Sequence, residues 1–248
     1  MKKTLSLLLI FLLAPALLQA QGAREIVKKA LDNFRGESSK STLTMKIIRP
    51  GWSREIRLKA WSKGEKYSLI KILAPARDKG VAYLKVGKEI WNWQPSIERS
   101  IKLPPSMMGQ SWMGSDFTND DLVRESSELR DYTHRIIGSD TLQGRDCWKI
   151  ELLPKEDAAV VWGKIIMWIS KKDYLELRAE FYDEDGKLVN IMKASDIKKM
   201  NGRTIPTRLE MIPAEKPGQK TVIVYEDIQF DIPIPDRFFS LQNMKKVR

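Results

Sequence analysis

The sequence predicts a mainly β chain with a few helices, built on a single antiparallel sheet that curls into an incomplete barrel. Two observations carry this. Runs of strict apolar/polar alternation, each closed by Gly, Pro or a charged pair, recur from about residue 39 to residue 230, roughly a dozen in succession, which is more than a flat sheet accommodates. Several of these runs are apolar on both faces, so both sides of the sheet must be covered.

The first residues are read as a secretory signal. Lys2 and Lys3 precede an apolar run from Leu5 to Leu18, and Leu18-Gln19-Ala20 ends in a small residue, so cleavage is expected after Ala20, with Ala23 as an alternative. Residues 21–248 are then one exported, soluble domain, since no linker, repeat or later apolar stretch of about 18 residues interrupts them. Without Lys2 and Lys3 the formal charge falls from +11 to +9. That balance suits encounter with anionic surfaces such as phospholipid headgroups, and equally suits lysines that blunt strand edges. Cys147 is alone, so no intrachain disulfide staples the fold; between Asp146 and Trp148 it reads as a buried strand residue.

Residues 24–35 place Ile26, Val27, Ala30, Leu31 and Phe34 at helical spacing, with Gly36 at the C-cap, giving one amphipathic helix that needs a partner surface. From Ser39 the period changes to two. Leu43, Met45 and Ile47 alternate with polar residues before Pro50-Gly51, and Ile56, Leu58 and Ala60 do so before Lys63-Gly64. Strands are expected at 67–73, 80–86, 89–93 and 97–103, then at 132–139, 145–153, 164–170, 174–182, 187–195, 204–212 and 221–230. Ile165, Met167 and Ile169 oppose Ile166 and Trp168, and Ile90 opposes Trp91 and Trp93, the two-sided pattern noted above.

Between the two series lies a stretch without period. After Pro104-Pro105 come Met107, Met108, Trp112, Met113 and Phe117, threaded through Gly109, Gly114 and serines. Soft, bulky side chains in a glycine-punctuated loop must cover something or be covered, and methionine suits a surface that repacks around variable apolar guests. Asp116, Thr118 and Asp120 have the first spacings of a calcium loop, but Asp121 stands where glycine is required and Ser127 where glutamate is. The same residues make a helix start, Thr118 capping a helix from Asn119 with Asp121 closing a capping box. Asp185-Gly186 reads as a hairpin turn.

Catalytic chemistry finds little support. His134 is the single histidine, no nucleophile has an evident base and orienter, and Met113 breaks a nucleophile-elbow pattern at Gly109-Gln110-Ser111. No enzyme activity, cofactor, metal or nucleic-acid partner is expected.

With these residues in view, the chain resembles the LolA-like family of outer membrane lipoprotein-sorting proteins, within the LolA/LolB carrier superfamily. The resemblance rests on Ile90-Trp91-Asn92-Trp93-Gln94-Pro95, on Arg99-Ser100-Ile101-Lys102-Leu103, and on Met113-Gly114-Ser115-Asp116-Phe117 with Asp120-Asp121-Leu122, the most specific piece. Leu142-Gln143-Gly144-Arg145-Asp146-Cys147, Trp168-Ile169-Ser170-Lys171, Tyr182-Asp183 and Gly186 continue in the family's order. It implies an incomplete barrel of about eleven strands, lidded by helices, around an apolar cavity that accepts acyl chains. The expected function is a periplasmic carrier or chaperone of lipid or lipoprotein acyl chains, monomeric, working between membrane-associated donor and acceptor proteins. The alternative is an envelope sensor or interaction module of the same fold. The candidate lipid contacts are Tyr83, Trp91, Trp93, Met107, Met108, Trp112, Met113, Phe117 and Trp168; Trp91 and Trp93 are expected to face the cavity, and Met107 to Phe117 to form its mouth or lid.

Overall fold

The structure, a computed structural model, describes residues 22–87, 89–123 and 127–247; the expected leader over 1–20 lies outside the described residues. Helix α1 covers 22–35. Its stripe Ala23, Val27 and Ala30 is buried, and Gly36 ends it at φ +70°, donating its N–H to Asp32 O at 2.8 Å.

Thirteen strands follow: β1 (Ser38–Arg49), β2 (Trp52–Lys63), β3 (Tyr67–Ala74), β4 (Ala82–Val86), β5 (Glu89–Gln94), β6 (Arg99–Lys102), β7 (Tyr132–Leu142), β8 (Arg145–Pro154), β9 (Lys164–Ser170), β10 (Glu176–Tyr182), β11 (Leu188–Met200), β12 (Arg203–Pro213) and β13 (Lys220–Phe230). They form one antiparallel sheet, a curled barrel left open between β6 and β7, with thirteen strands where the resemblance implied about eleven. The order, β6-β5-β4-β3-β2-β1-β13-β12-β11-β10-β9-β8-β7, has a simple cause. The chain starts in the middle, meanders outward to the β6 edge, crosses to the β7 edge, and meanders back until β13 pairs with β1, from Ser39↔Phe230 to Ile48↔Lys220. Every other link joins sheet neighbours. Among the described residues, the aperiodic stretch 103–123 follows the β6 edge and residues 127–131 lead into the β7 edge, so the link between the two edges of the open barrel runs through this stretch.

One face of the sheet, the inner face, carries the main core. Met45, Ile47, Ile56, Leu58, Ile72, Ile150, Leu152, Ile165, Ile169 and Met211 meet α1 and the crossing segment there. The outer face is covered in two places. Over β2–β5, Trp61, Leu69 and Leu84 lie under the C-terminal segment, with Ile234, Phe239 and Met244 of α4 (Leu241–Lys246) packed onto them; Trp61 meets Phe238 at 5.5 Å and Tyr67 stacks on Phe239 at 5.0 Å. Over β8–β10, Cys147, Ile166, Trp168 and Leu177 form a smaller cluster. Both faces are therefore dry over β2–β5 and β8–β10, as the two-sided strands there require, while β7 and β11 carry exposed residues. Trp91 and Trp93, however, pack into the outer cluster, and it is Ile90 that points inward. That corrects the expected orientation: the helix and crossing segment claim the side bearing Ile90, and the tryptophans are left to the C-terminal strap.

Candidate functional site

The crossing segment is held in a tight fold over the inner face. Trp112 N–H bonds Phe117 O at 2.8 Å, Ser115 N–H bonds Trp112 O at 2.9 Å, and Met113 and Gly114 take φ of +52° and +80°. This turn throws both large rings the same way. Trp112 is 1% and Phe117 4% exposed, and Trp112 meets Tyr83 edge-on at 5.5 Å.

Asp116, between them, fastens the segment to the barrel rim. Its Oδ2 accepts from Arg49 Nη1 of β1 at 2.9 Å and from Thr221 Oγ1 of β13 at 2.7 Å. Its N–H donates to Thr221 Oγ1 at 2.9 Å, while its carbonyl accepts from Asn190 Nδ2 of β11 at 3.3 Å. Arg49 Nη2 also reaches Gly114 O at 2.9 Å. On the other side, Asn119 Nδ2 donates to Met107 O at 2.8 Å.

The segment then enters α2 (Asn119–Val123) through the expected capping box. Asp121 N–H donates to Thr118 Oγ1 at 3.1 Å and Thr118 N–H to Asp121 Oδ2 at 2.8 Å. Asp121 Oδ1 accepts from Trp162 Nε1 at 3.2 Å, so this carboxylate is spent on the cap.

Two adjoining cavities lie beneath. The larger, 170 Å³, is bounded by Ala30, Leu31 and Phe34 of α1, by Phe117, and by Met167, Phe181, Met192, Leu209, Met211 and Tyr225 of the sheet. The smaller, 70 Å³, lies against β1–β3 and Trp112, with Ser39, Ser41, Ser62 and Ser68 in its wall. Phe34, Arg35, Ile223 and Tyr225 border both, and the partition is the edge-on contact of Phe34 with Tyr225, centroids 5.4 Å apart. Phe117 borders the larger cavity on one side and, on the other, a polar depression at the rim lined by Arg49, Ser115, Asp116, Lys187 and Asn190. It is a plug between interior and mouth.

Acidic groups break the apolar lining. Asp121, Glu128 of α3 (Ser127–Arg130) and Glu176 of β10 all border the larger cavity. Burial pushes Glu176 up to about 7 and Glu128 to about 8, and Asp121 to about 6 against the pull of its Thr118 and Trp162 hydrogen bonds. Burial likewise lifts the Tyr83 phenol to about 12 and lowers His134 to about 4.

Of the residues the sequence singled out, Tyr83, Met108, Trp112, Met113 and Phe117 come together in or against the inner core. Trp112 and Phe117 touch a cavity. Met107 is half-buried at the segment's edge. Trp91, Trp93 and Trp168 lie on the outer face; Trp168 is held there between Lys149 and Arg178, whose charges sit 4.9 and 5.1 Å from its ring, with its Nε1 on Asp140 Oδ2 at 3.0 Å. Sequence reasoning missed the α1 contribution of Phe34 and Arg35, and the Met192 and Met211 pair. The signal for the first was available, in an amphipathic helix whose stripe lacked a partner. Met192 and Met211 are register partners across β11 and β12, which sequence spacing does not show.

A family model described as an uncharacterized protein family matches residues 64–246. No curated protein matches the sequence. Among solved structures, the chain is similar to a DUF1329 family protein from Desulfovibrio piger (TM-score 0.84, 24% identity, 91% of this chain and 99% of that one). It is also similar to a LolA superfamily protein from Nitrosomonas europaea (0.77, 25%, 89% and 98%). A third is a domain from Vibrio parahaemolyticus assigned to outer membrane lipoprotein sorting (0.80, 22%, 91% and 99%). The chain belongs to the uncharacterized protein family whose model it matches over residues 64–246, and it shares its fold with the LolA superfamily protein and with the lipoprotein-sorting domain.

Proposed function

We propose that the chain, as a single domain from residue 21 onward, is a periplasmic, non-enzymatic carrier that shields acyl chains of a lipid or lipoprotein for transport to the outer membrane. The observation that supports this best is the covered apolar cavity with Phe117 as its plug. At 170 Å³ it has room for about a dozen water-sized groups, each needing roughly 10–15 Å³, which is the scale of one acyl chain. Burying a chain of about 14 carbons is worth on the order of 11 kcal/mol at about 0.8 kcal/mol per methylene, so desorption from a bilayer is slow unless a dry site offsets the loss. The Asp116 fastening keeps the mouth closed in transit, and its release at an acceptor lets Phe117 swing out. Donor and acceptor are membrane-associated proteins, met by a monomeric carrier.

Mass spectrometry of lipid that copurifies with the protein, and transfer of a labelled lipid between vesicles, test the proposal. Bound lipid that is lost in Met192→Trp, which fills the cavity, is the expected result, together with transfer. Protein that is lipid-free from every preparation and moves no lipid would overturn it. Binding without transfer would identify a sensor of the same fold.

A further inference from the structure

Three carboxyl groups from three separate elements converge on one apolar cavity: Asp121 from α2, Glu128 from α3 and Glu176 from β10. Asp121 is engaged by its cap and by Trp162. The other two are different. Glu128 Oε2 is buried and has no hydrogen-bond partner. Glu176 is half-buried at the start of β10 and borders the same cavity, and burial raises it to about 7. A buried carboxyl oxygen without a partner, as Glu128 Oε2 is, costs free energy that no packing gain at that atom returns, because an apolar side chain of the same size would avoid the cost. Much of the wall, Ala30, Leu31, Phe117, Met167, Phe181 and Leu209, is apolar and provides no donor; the donors bordering the cavity are Asn33, Arg35, Tyr174 and Tyr225.

Charged groups facing the carboxyls narrow what would satisfy them. Arg35 of α1 lies at the junction of the two cavities and is already engaged; it draws Glu128 toward ionisation, whereas Glu176 and Asp121 oppose it. A carboxylate or phosphate placed beside Glu128 and Glu176 would add a further anion to three acids in a low-dielectric site. An ammonium would instead give each an ionic partner and supply the missing donors.

We propose that the larger cavity is selective for amphiphiles whose polar end is a primary ammonium, held by Glu176 and Glu128 while the alkyl chain lies among Phe34, Met192, Leu209 and Phe117. This rests on the carrier reading above and adds the chemistry of the head group to it. At pH 7 Glu128 largely keeps its proton and Glu176 about half of its own in the empty protein, and both ionise when the cation enters, so binding of the amine is accompanied by proton release.

Titration calorimetry with decylamine, decanol and decanoate at pH 7, in two buffers of different ionisation enthalpy, tests this. Decylamine is expected to bind at least tenfold more tightly than decanol and to release protons to the buffer; decanoate is expected to bind more weakly than decanol. Glu176→Gln and Glu128→Gln, each close in shape to the native residue, are expected to bring decylamine to within about threefold of decanol and to leave decanol unchanged. The protein's positive net charge opposes adventitious adsorption of the amine, and the two Gln variants separate binding in the cavity from binding at the surface. Decanol binding with no preference for decylamine, or a preference that both variants retain, overturns the head-group assignment alone. Failure of all three ligands to bind overturns the cavity reading with it.

Discussion

Replacing Asp116 by Asn removes one charge from the fastening and leaves its shape. The side chain is 6% exposed and pairs with an Arg49 side chain that is 13% exposed, so solvent screens the pair little. A hydrogen bond to a charged group in such a place is worth about 1.5–3 kcal/mol, which raises the population of the open segment roughly 10- to 150-fold. The barrel beneath keeps its own pairing: Ile48↔Lys220 and its neighbours do not use this carboxylate. Hydrogen exchange followed residue by residue reads the difference. The amides of Trp112 and Asn119, which bond Phe117 O and Gln110 O within the segment, are expected to exchange about 10- to 150-fold faster in Asp116→Asn, with those of β1 and β13 unchanged. Acceleration shared equally by β1 and β13, or none at all, would refute the view that Asp116 closes a separately opening segment.

Glu176 ties stability to pH in a defined direction. Its folded value of about 7 lies above the ordinary 4.5, so the folded state holds a proton the unfolded chain has lost, and stability is withdrawn as pH rises from about 4.5 to about 7. Glu176→Gln is expected to raise stability in urea titrations at pH 8 by on the order of 2–3 kcal/mol and to change it little at pH 4; equal effects at both would count against the assignment. Gly163→Ala forces a Cβ to within 2.5 Å of Asp183 O, a backbone atom that cannot swing aside, and is expected to cost about 1–3 kcal/mol in the same titrations. Trp93→Glu, on the outer face beneath α4, is expected to speed proteolytic clipping of residues 232–247 while lipid content stays constant; loss of lipid with an intact C-terminus would return Trp93 to the cavity.

Features written in neighbouring residues were legible in advance. The Thr118 and Asp121 capping box, the Asp185-Gly186 turn with Gly186 at φ +78°, buried Cys147 and the succession of strands follow from spacing and turn chemistry. The apolar cover on both faces of β5 and β9 was legible too. Which face is inner was not, because the answer depends on where α1 and the crossing segment settle. The pair Trp91 and Trp93 misled through size: a tryptophan is amphipathic enough for a half-buried outer site, where Lys102 and Lys245 lie 5.8 and 4.9 Å from their rings. The cavity walls draw on α1, on the crossing segment and on sheet strands from both halves of the chain, a juxtaposition fixed by register rather than by any local pattern.

The seam between β1 and β13 has a consequence for how the chain reaches this form. Ser39 and Phe230 are opposite each other in the sheet yet stand at the two ends of the meander, so this pairing is among the most non-local in the molecule. Such contacts slow folding, since the entropy of closing the loop is lost before the pairing compensates it. A chain emerging from its N-terminus can lay down β1 through β6 at once, but the free edge of β1 stays uncovered until β13, the last strand, arrives. An unpaired edge offers its amides and carbonyls to any passing strand, so aggregation of the nascent chain should peak in truncations that stop just short of β13 and vanish once that strand is complete.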